Sequence, residues 1–452
     1  MKKSLENIKH IYFLGIGGIG MSALARYFSA KGIRISGYDR TASDLTWELA
    51  KEGASIHYED DITLIPNDID LIIYTPAVPK DLREYESLAG SKVPMHKRAQ
   101  VVGMLCHGKT TIAVAGSHGK TSISTLTAHI LMSAGLPVTA LVGGISRNYN
   151  SNYITSGKEE IMVVEADEFD RSFLELEPDV AIISAMDPDH LDIYGTSEEM
   201  ADSYADFAAR IKPNGHLFIR HDLQLPLRND IRRSGYNVDN LSDAFGFNLR
   251  IENGLQLFDM FLDGMRFQDI ILQVPGRHNV ENAVAASLVC YHLGVDKKVI
   301  IGAIGSFTGV RRRFDFRIRQ EGLVYIDDYA HHPRELEAFI EAVRSLYPMS
   351  KITGLFQPHL YTRTRDFAEG FAASMDLLDE PWLMDIYPAR ETQIPGVSSK
   401  MVFDLMQNPN KQLLGKEDVL KRLEKKKPEV FLTMGAGDID QMVEPVEKIL
   451  LG

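Results

Sequence analysis

Short apolar runs bounded by glycine, proline or charged residues recur along the whole chain, with helix-like stretches between them. Residues 11–14 open the series. A glycine turn and a helical stretch over 21–31 follow, then 34–38, which ends at Asp39, and 71–74, which ends at Thr75-Pro76. Further on come 112–115 with a helix over 120–134, then 161–164, 180–184 and a helix after Pro275. Runs at 324–326, 352–356, 383–386 and 430–434 complete the series, again with helices between them. An apolar run without alternation reads as a strand covered on both faces, and strands alternating with helices read as parallel crossover units. The pattern predicts an α/β protein built on parallel sheets, with domains over 1–103, 104–310 and 311–452.

Length agrees with that division, because 452 residues exceed what one hydrophobic core holds and suggest about three domains. The composition, 44% hydrophobic and 25% charged, is that of a soluble globular protein. No apolar run reaches the length that crosses a bilayer, and residues 1–10 lack the apolar core of a signal peptide. Cys106 and Cys290 are the only cysteines, so neither a disulfide framework nor a cysteine metal cage is expected, and the expected compartment is the reducing cytoplasm. A net charge of −13 argues against nucleic acid as a partner. Oligomeric state is not legible.

Gly116-Ser117-His118-Gly119-Lys120-Thr121-Ser122 follows a predicted strand and opens a predicted helix. A phosphate-binding loop needs that setting. Small residues turn backbone N–H groups toward phosphate, the helix start adds positive potential, Lys120 reaches the β/γ oxygens and Thr121 can ligate Mg²⁺. The loop is shorter than the common form, which has a glycine where Val114 stands. A near copy, His107-Gly-Lys109-Thr110, precedes the strand and is read as linker. The run 161–164 ends in Glu165-Ala-Asp167-Glu168, and the next strand leads to Asp187-Pro-Asp189-His190. A phosphate-loop enzyme places acids on such a strand end to hold Mg²⁺. His190 is a candidate second metal ligand, although a lone His is as often structural. Loops at the C-terminal ends of adjacent parallel strands are where open α/β sheets bind ligands.

Gly15-Ile-Gly17-Gly18-Ile-Gly20, with Asp39 after the next strand, matches the dinucleotide fingerprint. The pattern is specific for close backbone approach to a diphosphate and weak for NAD itself, since a UDP group presents the same diphosphate. The last segment adds Arg311-Arg-Arg313-Phe314, Asp327-Asp328-Tyr-Ala-His331-His332, Gln357-Pro-His359-Leu-Tyr-Thr-Arg363-Thr-Arg365 and Gly435-Ala-Gly437-Asp438. Arginines after strands suit phosphate and carboxylate groups, and His331 or His359 could act on an amine. An NAD-dependent dehydrogenase leaves the Lys120 loop unused. A plain phosphate-loop ATPase leaves the last segment's His and Arg groups unused.

These motifs, with "GRHNVENA" (276–283), "YPARE" (387–391) and "GAGDI" (435–439), together resemble the Mur ligases of bacterial cell-wall synthesis over essentially the whole chain. The resemblance implies an N-terminal Rossmann-like domain for a UDP-sugar, a central P-loop-type ATPase domain and a C-terminal Rossmann-like domain that closes over an amino acid. It implies ATP and Mg²⁺ as cofactors, and joining of L-alanine to the lactyl carboxylate of UDP-N-acetylmuramate through an acyl phosphate. It places Lys120 on the phosphates, Thr121 and Glu165 on one Mg²⁺, Glu165 and His190 on a second, Asn282 beside the adenine, and Arg313 and Asp328 on ATP groups. His331, His359 and Arg363 would face the amino acid and acyl group, and Gly15, Gly17, Gly18, Gly20 and Asp39 the UDP-sugar. Related alanine ligases carry Arg where this chain has Leu360, so Arg363 or Arg365 is expected to hold the amino-acid carboxylate instead. Several members carry a carbamylated lysine on the helix after the metal-binding His. No Lys lies between His190 and Lys212 here, so no carbamate is expected.

Overall fold

The computed structural model describes residues 5, 7–187, 194, 196–389 and 391–452. They form an α/β protein of three domains with parallel-sheet cores. In the first, β1 (His10–Leu14), β2 (Arg34–Tyr38), β3 (Ser55–His57), β4 (Leu71–Tyr74) and β5 (Met95–Lys97) lie in the order β3-β2-β1-β4-β5. All four pairings are parallel. Every residue of β1 is buried, as a central strand covered on both faces requires. The order reverses at β1, so the glycine loop that follows it opens at the switch point of the sheet.

The central domain holds β6 (Thr110–Ala115), β7 (Val138–Ser146), β8 (Ser151–Thr155), β9 (Ile161–Glu165), β10 (Val180–Ile183), β11 (His216–Arg220) and β12 (Arg232–Val238). They run in the order β12-β11-β10-β6-β9-β7-β8. β6 therefore has β9 on one side and β10 on the other, both parallel, with Val114 level with Glu165 and Ala115 level with Ile183. The loops after the three strands leave the same edge of the sheet, which is what the sequence reading required of them.

Three further strands, β13 (Ala244–Glu252), β14 (Leu255–Leu262) and β15 (Met265–Leu272), form a meander with β14 and β15 antiparallel. Its turns are Asn253-Gly254 and Asp263-Gly264, with φ positive at all four residues, the two-residue hairpin geometry that suits the right-handed twist of paired strands. The last domain contains β16 (Asp315–Gln320), β17 (Leu323–Asp328), β18 (Ile352–Phe356), β19 (Glu380–Leu383), β20 (Gln412–Leu413) and β21 (Val430–Met434), in the order β16-β17-β21-β18-β19-β20. The strand expected over 383–386 lies three residues earlier, at β19, where the proline at its second position disguised it. Its register on β18 runs from Thr353↔Glu380 to Phe356↔Leu383, and only the Met384 N–H still reaches the sheet, at Phe356 O, 2.9 Å.

The chain divides into two compact units. One comprises residues through Phe245 with Asn282–Ile304, the other Gly246–Glu281 with Gly305–Gly452. Within the first unit, the helix Ile19–Ala30 is tied to β8 by polar groups removed from water. Arg26 Nη1 donates to Asn152 Oδ1 at 2.7 Å, and Asn152 Nδ2 donates to Ile19 O and Ser22 Oγ at 2.7 and 2.8 Å.

Candidate active site

The loop after β6 is shaped by two glycines that no other residue could replace without strain. Gly116 has φ +134°, and a Cβ there would stand 2.2 Å from Ser184 Oγ. Gly119 has φ +83° and forms the N-cap of the helix Lys120–Ser133. The loop is pinned to the end of β10, since Ser117 N donates to Ala185 O at 3.1 Å and Ser117 Oγ to Asp187 O at 2.8 Å. Lys120 Nζ turns back over the loop, donating to Gly116 O at 2.7 Å and to both carboxylate oxygens of Glu168 at 2.8 and 2.7 Å. Burial disfavours its charge, but Glu168, Asp167 and Glu165 outweigh that and hold its pKa above the ordinary value.

Glu165, at the end of β9, accepts from Gly143 N and from Ser124 Oγ, the latter at 3.3 Å. Burial pushes its carboxyl above the usual carboxylate range, against the Gly143 N–H, the Lys120 charge and the Thr121 hydroxyl, which all favour the anion. An anion held in a desolvated place beside a hydroxyl is a hard, all-oxygen donor set, which suits Mg²⁺. Among the described residues no group of three His, Cys, Asp or Glu side chains gathers as a metal site. His190 lies outside the described residues. Asn282, expected beside adenine, has its amide oxygen against the phosphate loop, where a Cβ on Gly119 would lie 2.7 Å from Oδ1. Lys109 of the near copy is engaged elsewhere, with Glu159 Oε2 at 2.7 Å.

In the first domain, Gly15 has φ +83°, and its N–H and that of Ile16 bond to Tyr38 O at 2.8 and 3.1 Å. Asp39 accepts the Gly17 N–H at 2.8 Å, so its carboxylate braces the loop. Gly18 N-caps the helix Ile19–Ala30. A Cβ on Gly20 would come within 2.6 Å of Arg98 Nη1, and Arg98 Nη2 reaches Asp167 Oδ2 at 3.4 Å. Arg98 thus stands between the glycine loop and the acidic segment after β9. The sequence reading missed it; the signal was the basic pair Lys97-Arg98 between a strand and a helix.

In the last domain, β17, β21 and β18 are neighbours, with Asp328 level with Met434 and Met434 level with Phe356. The loops carrying His331, Gly435 and His359 therefore leave one sheet edge together. Asp328 accepts Phe314 N and Ala330 N, each at 2.7 Å. Burial pushes its pKa up to about 6, although the Arg313 charge and those N–H groups pull the other way. Arg313 stacks over Tyr329, 5.0 Å from the ring centre. His331 and His359 have ring centres 6.3 Å apart, and Arg363 Nη1 lies 3.4 Å from His359 Nδ1. Arg365, named with them, stands apart. It is exposed and pairs with Asp366 at 2.7 Å, because residues two apart on a helix face different directions. Leu360 is buried at φ +69°, ψ +137°, with its N–H on Tyr387 O at 3.0 Å. The first turn of the helix Tyr361–Asp366 is held by Glu391, which accepts the Thr362 N–H at 3.1 Å, a partner hidden in "YPARE".

Three family descriptions match successive stretches: the Mur ligase family catalytic domain over residues 10–110, the Mur ligase middle domain over 114–290, and the Mur ligase glutamate ligase domain over 312–437. A protein of Christiangramia forsetii is 46% identical over 99% of both chains, and one of Flavobacterium johnsoniae 47% identical over 99% of both. Both are named UDP-N-acetylmuramate–L-alanine ligase. The chain belongs to the Mur ligase family. Mur ligases are ATP-dependent enzymes that form amide bonds. A solved UDP-N-acetylmuramate–alanine ligase of Thermotoga maritima, 28% identical, matches this Mur ligase with a TM-score of 0.83 over 97% of this chain and 98% of that one.

Proposed function

We propose that this Mur ligase joins L-alanine to the lactyl carboxylate of UDP-N-acetylmuramate, converting ATP to ADP and phosphate, in the synthesis of peptidoglycan precursors. The observation that carries the reading is the end-to-end identity of 46 to 47% with proteins of that name. In this reading the first domain (1–103) takes the UDP-sugar, with its diphosphate on the loop of Gly15, Gly17, Gly18 and Gly20. The central domain (104–310) takes ATP, and the last (311–452) the amino acid.

A carboxylate repels an amine nucleophile and is a poor acyl electrophile. Its oxygen attacks the γ-phosphorus, ADP leaves, and the resulting acyl phosphate carries a good leaving group. Lys120 and the loop N–H groups hold the phosphates where charge develops. Thr121 and Glu165 would hold Mg²⁺, which supplies charge neutralisation at the phosphate oxygens. The alanine nitrogen then attacks the acyl carbon, phosphate leaves and the amine loses a proton.

Of the two histidines, His331 suits the base. Its Nδ1 lies 2.9 Å from Tyr329 O, and a bond to a carbonyl needs the proton on Nδ1, leaving the Nε2 lone pair to accept one. Glu335, 3.3 Å from the same nitrogen, stabilises the imidazolium. His359 Nδ1 faces an arginine N–H, which places its own proton on Nε2 as a donor. Arg363, with Leu360 buried beside it, receives the amino-acid carboxylate. The test is phosphate release from ATP with UDP-N-acetylmuramate and each of L-alanine, glycine and L-serine. Release is expected only with both co-substrates and fastest with L-alanine. Equal turnover without the sugar overturns the reading.

A further inference from the structure

Lys120 has three N–H donors, the full complement of an ammonium group. All three are in use: one on Gly116 O at 2.7 Å, two on the Glu168 oxygens at 2.8 and 2.7 Å. The Glu168 side chain is 1% exposed, so its charge sits where only a bound cation keeps it tolerable. Its backbone is fixed on both sides. Tyr194 Oη donates to Glu168 O at 2.5 Å. Just beyond, the chain reverses through Asp170 and Arg171, at φ 52° and 53°, and Asp170 is tied to Lys97 at 2.6 Å. Two consecutive residues other than glycine in the left-handed region persist only where the surroundings impose them. Glu168 is therefore presented to Lys120 from a rigid support.

We propose that Glu168 is a positioning residue that parks Lys120 across the phosphate loop and must yield at least one of its two bonds before a nucleotide phosphate can be held. The inference rests on Lys120 being the phosphate-binding lysine of the proposed function. Phosphate oxygens can take an N–H only from the three already spent. Giving up one Glu168 oxygen is the cheaper exchange, because the other still holds the ammonium in place while the Gly116 carbonyl has no other donor from this side chain. Glu168 thus has two effects of opposite sign. It competes with nucleotide for Lys120, and it fixes the direction from which Lys120 meets the transferring phosphate.

The two effects separate in one experiment. Binding of Mg-ADP alone is titrated by calorimetry for wild type, Glu168→Gln, Glu168→Asp and Lys120→Ala, and kcat and KM for ATP are measured in the full reaction. Glu168→Gln removes a charge-assisted competitor and is expected to tighten Mg-ADP roughly tenfold, while kcat falls about tenfold or more because Lys120 is no longer held. Glu168→Asp keeps the charge on a shorter arm. It is expected to tighten Mg-ADP by a smaller factor and retain more of kcat, and it carries the test if the Gln variant does not fold. Lys120→Ala should weaken Mg-ADP. If it does while both Glu168 variants bind Mg-ADP as wild type or more weakly, the parking role is overturned and the phosphate-loop reading stands. If Lys120→Ala leaves Mg-ADP affinity unchanged, the reading of Lys120 fails and this proposal with it.

Discussion

Lys120 and Lys109 share the same local sequence, Gly-Lys-Thr, and differ in what surrounds them. β6 separates them, and at ~3.3 Å per residue its six residues put the two amines at opposite sheet edges, roughly 20 Å apart. Lys109 shares Glu159 with Lys31 and with Tyr27 Oη, at 3.0 Å. Lys109→Ala therefore leaves Glu159 two partners. It is expected to keep turnover within a few-fold and to cost up to about 1 kcal/mol of stability, the range of partly exposed ion pairs. Lys120→Ala should keep the fold but lower the melting temperature, because it leaves the buried Glu168 carboxylate without its cation, and should lose about 100-fold or more in kcat. Phosphate-release kinetics and thermal melts on the two variants check both outcomes; a slow Lys109→Ala beside an active Lys120→Ala would exchange their roles. Asp328 makes a pH argument. Burial raises its native pKa to about 6, above the unfolded carboxylate value of about 4, so the native state holds a proton that the unfolded state gives up. Its share of stability is present below about pH 4 and is lost as pH rises through about 6. Asp328→Asn removes that titration and turns an amide N–H toward a backbone N–H that now has an acceptor, costing about 1–3 kcal/mol. Denaturant melts from pH 4 to 7 should show a flatter pH dependence for the variant than for wild type. A parallel pair of curves would remove Asp328 from the account.

At the scale of elements, what could be read depended on whether the signal was local. The central strands were legible because burial on both faces leaves uninterrupted apolar runs, and the phosphate loop because Gly116 and Gly119 serve backbone conformations that few residues can adopt. The meander of β13, β14 and β15 also carried a local signal, Asn253-Gly254 and Asp263-Gly264 between half-apolar strands, and the helix-and-strand reading passed over it. β19 was misplaced because Pro381 reads as a breaker. Arg98 had only the basic pair Lys97-Arg98 as a signal and Glu391 had none: each acts across the fold, on Asp167 and on the turn at Thr362. Sequence spacing cannot reveal such partners. His216 on β11 is of the same kind. It is buried against Phe218 and His292, with ring centres 4.1 and 4.5 Å away, and its Nε2 lies 2.9 Å from Ser234 Oγ on β12. Burial, with the nearby His292 and Arg232, lowers its pKa to about 4. A histidine held neutral in the native state binds its proton first in the unfolded chain. Its contribution is whole above about pH 6.5, the unfolded value, and is lost as pH falls toward 4. His216→Gln should therefore lose less stability than wild type between pH 6.5 and 4, by about 1–3 kcal/mol, in guanidinium titrations that follow unfolding of the central domain. Equal losses in the two proteins would mean that His216 titrates normally.

At the scale of the whole chain, the three sheets follow the order in which apolar runs and helices alternate, which is why the architecture was readable. The grouping of Gly246–Glu281 with the C-terminal residues as one compact unit was not, since it depends on packing between segments distant in sequence. The chain also departs from several members of its family in a way already visible in its sequence, and the fold shows where the next lysine goes instead. Those members carry a carbamylated lysine on the helix after the metal-binding histidine. Here that helix is Ser197–Ala209, and it contains no lysine. The next lysine, Lys212, follows it and is already engaged. Its Nζ bonds to Asp179 Oδ2 at 2.7 Å and to Lys109 O at 3.3 Å. Asp179 immediately precedes β10 and Lys109 immediately precedes β6, so this amine is anchored at the N-terminal edge of the sheet, whereas Glu165 and the phosphate loop leave the C-terminal edge. This amine is therefore spent on two hydrogen bonds at the far end of the strands from Glu165. In the proposed reaction the second Mg²⁺, an ion that retains several waters readily, would be held by Glu165, His190, water and phosphate oxygens without a carbamate. Turnover should therefore be the same in CO₂-depleted buffer with and without added bicarbonate, and peptide mass spectrometry under carbamate-trapping conditions should find every central-domain lysine unmodified. Reactivation of depleted enzyme by bicarbonate would require a carbamate on a lysine outside this helix, and would place a second segment of the chain at the metal.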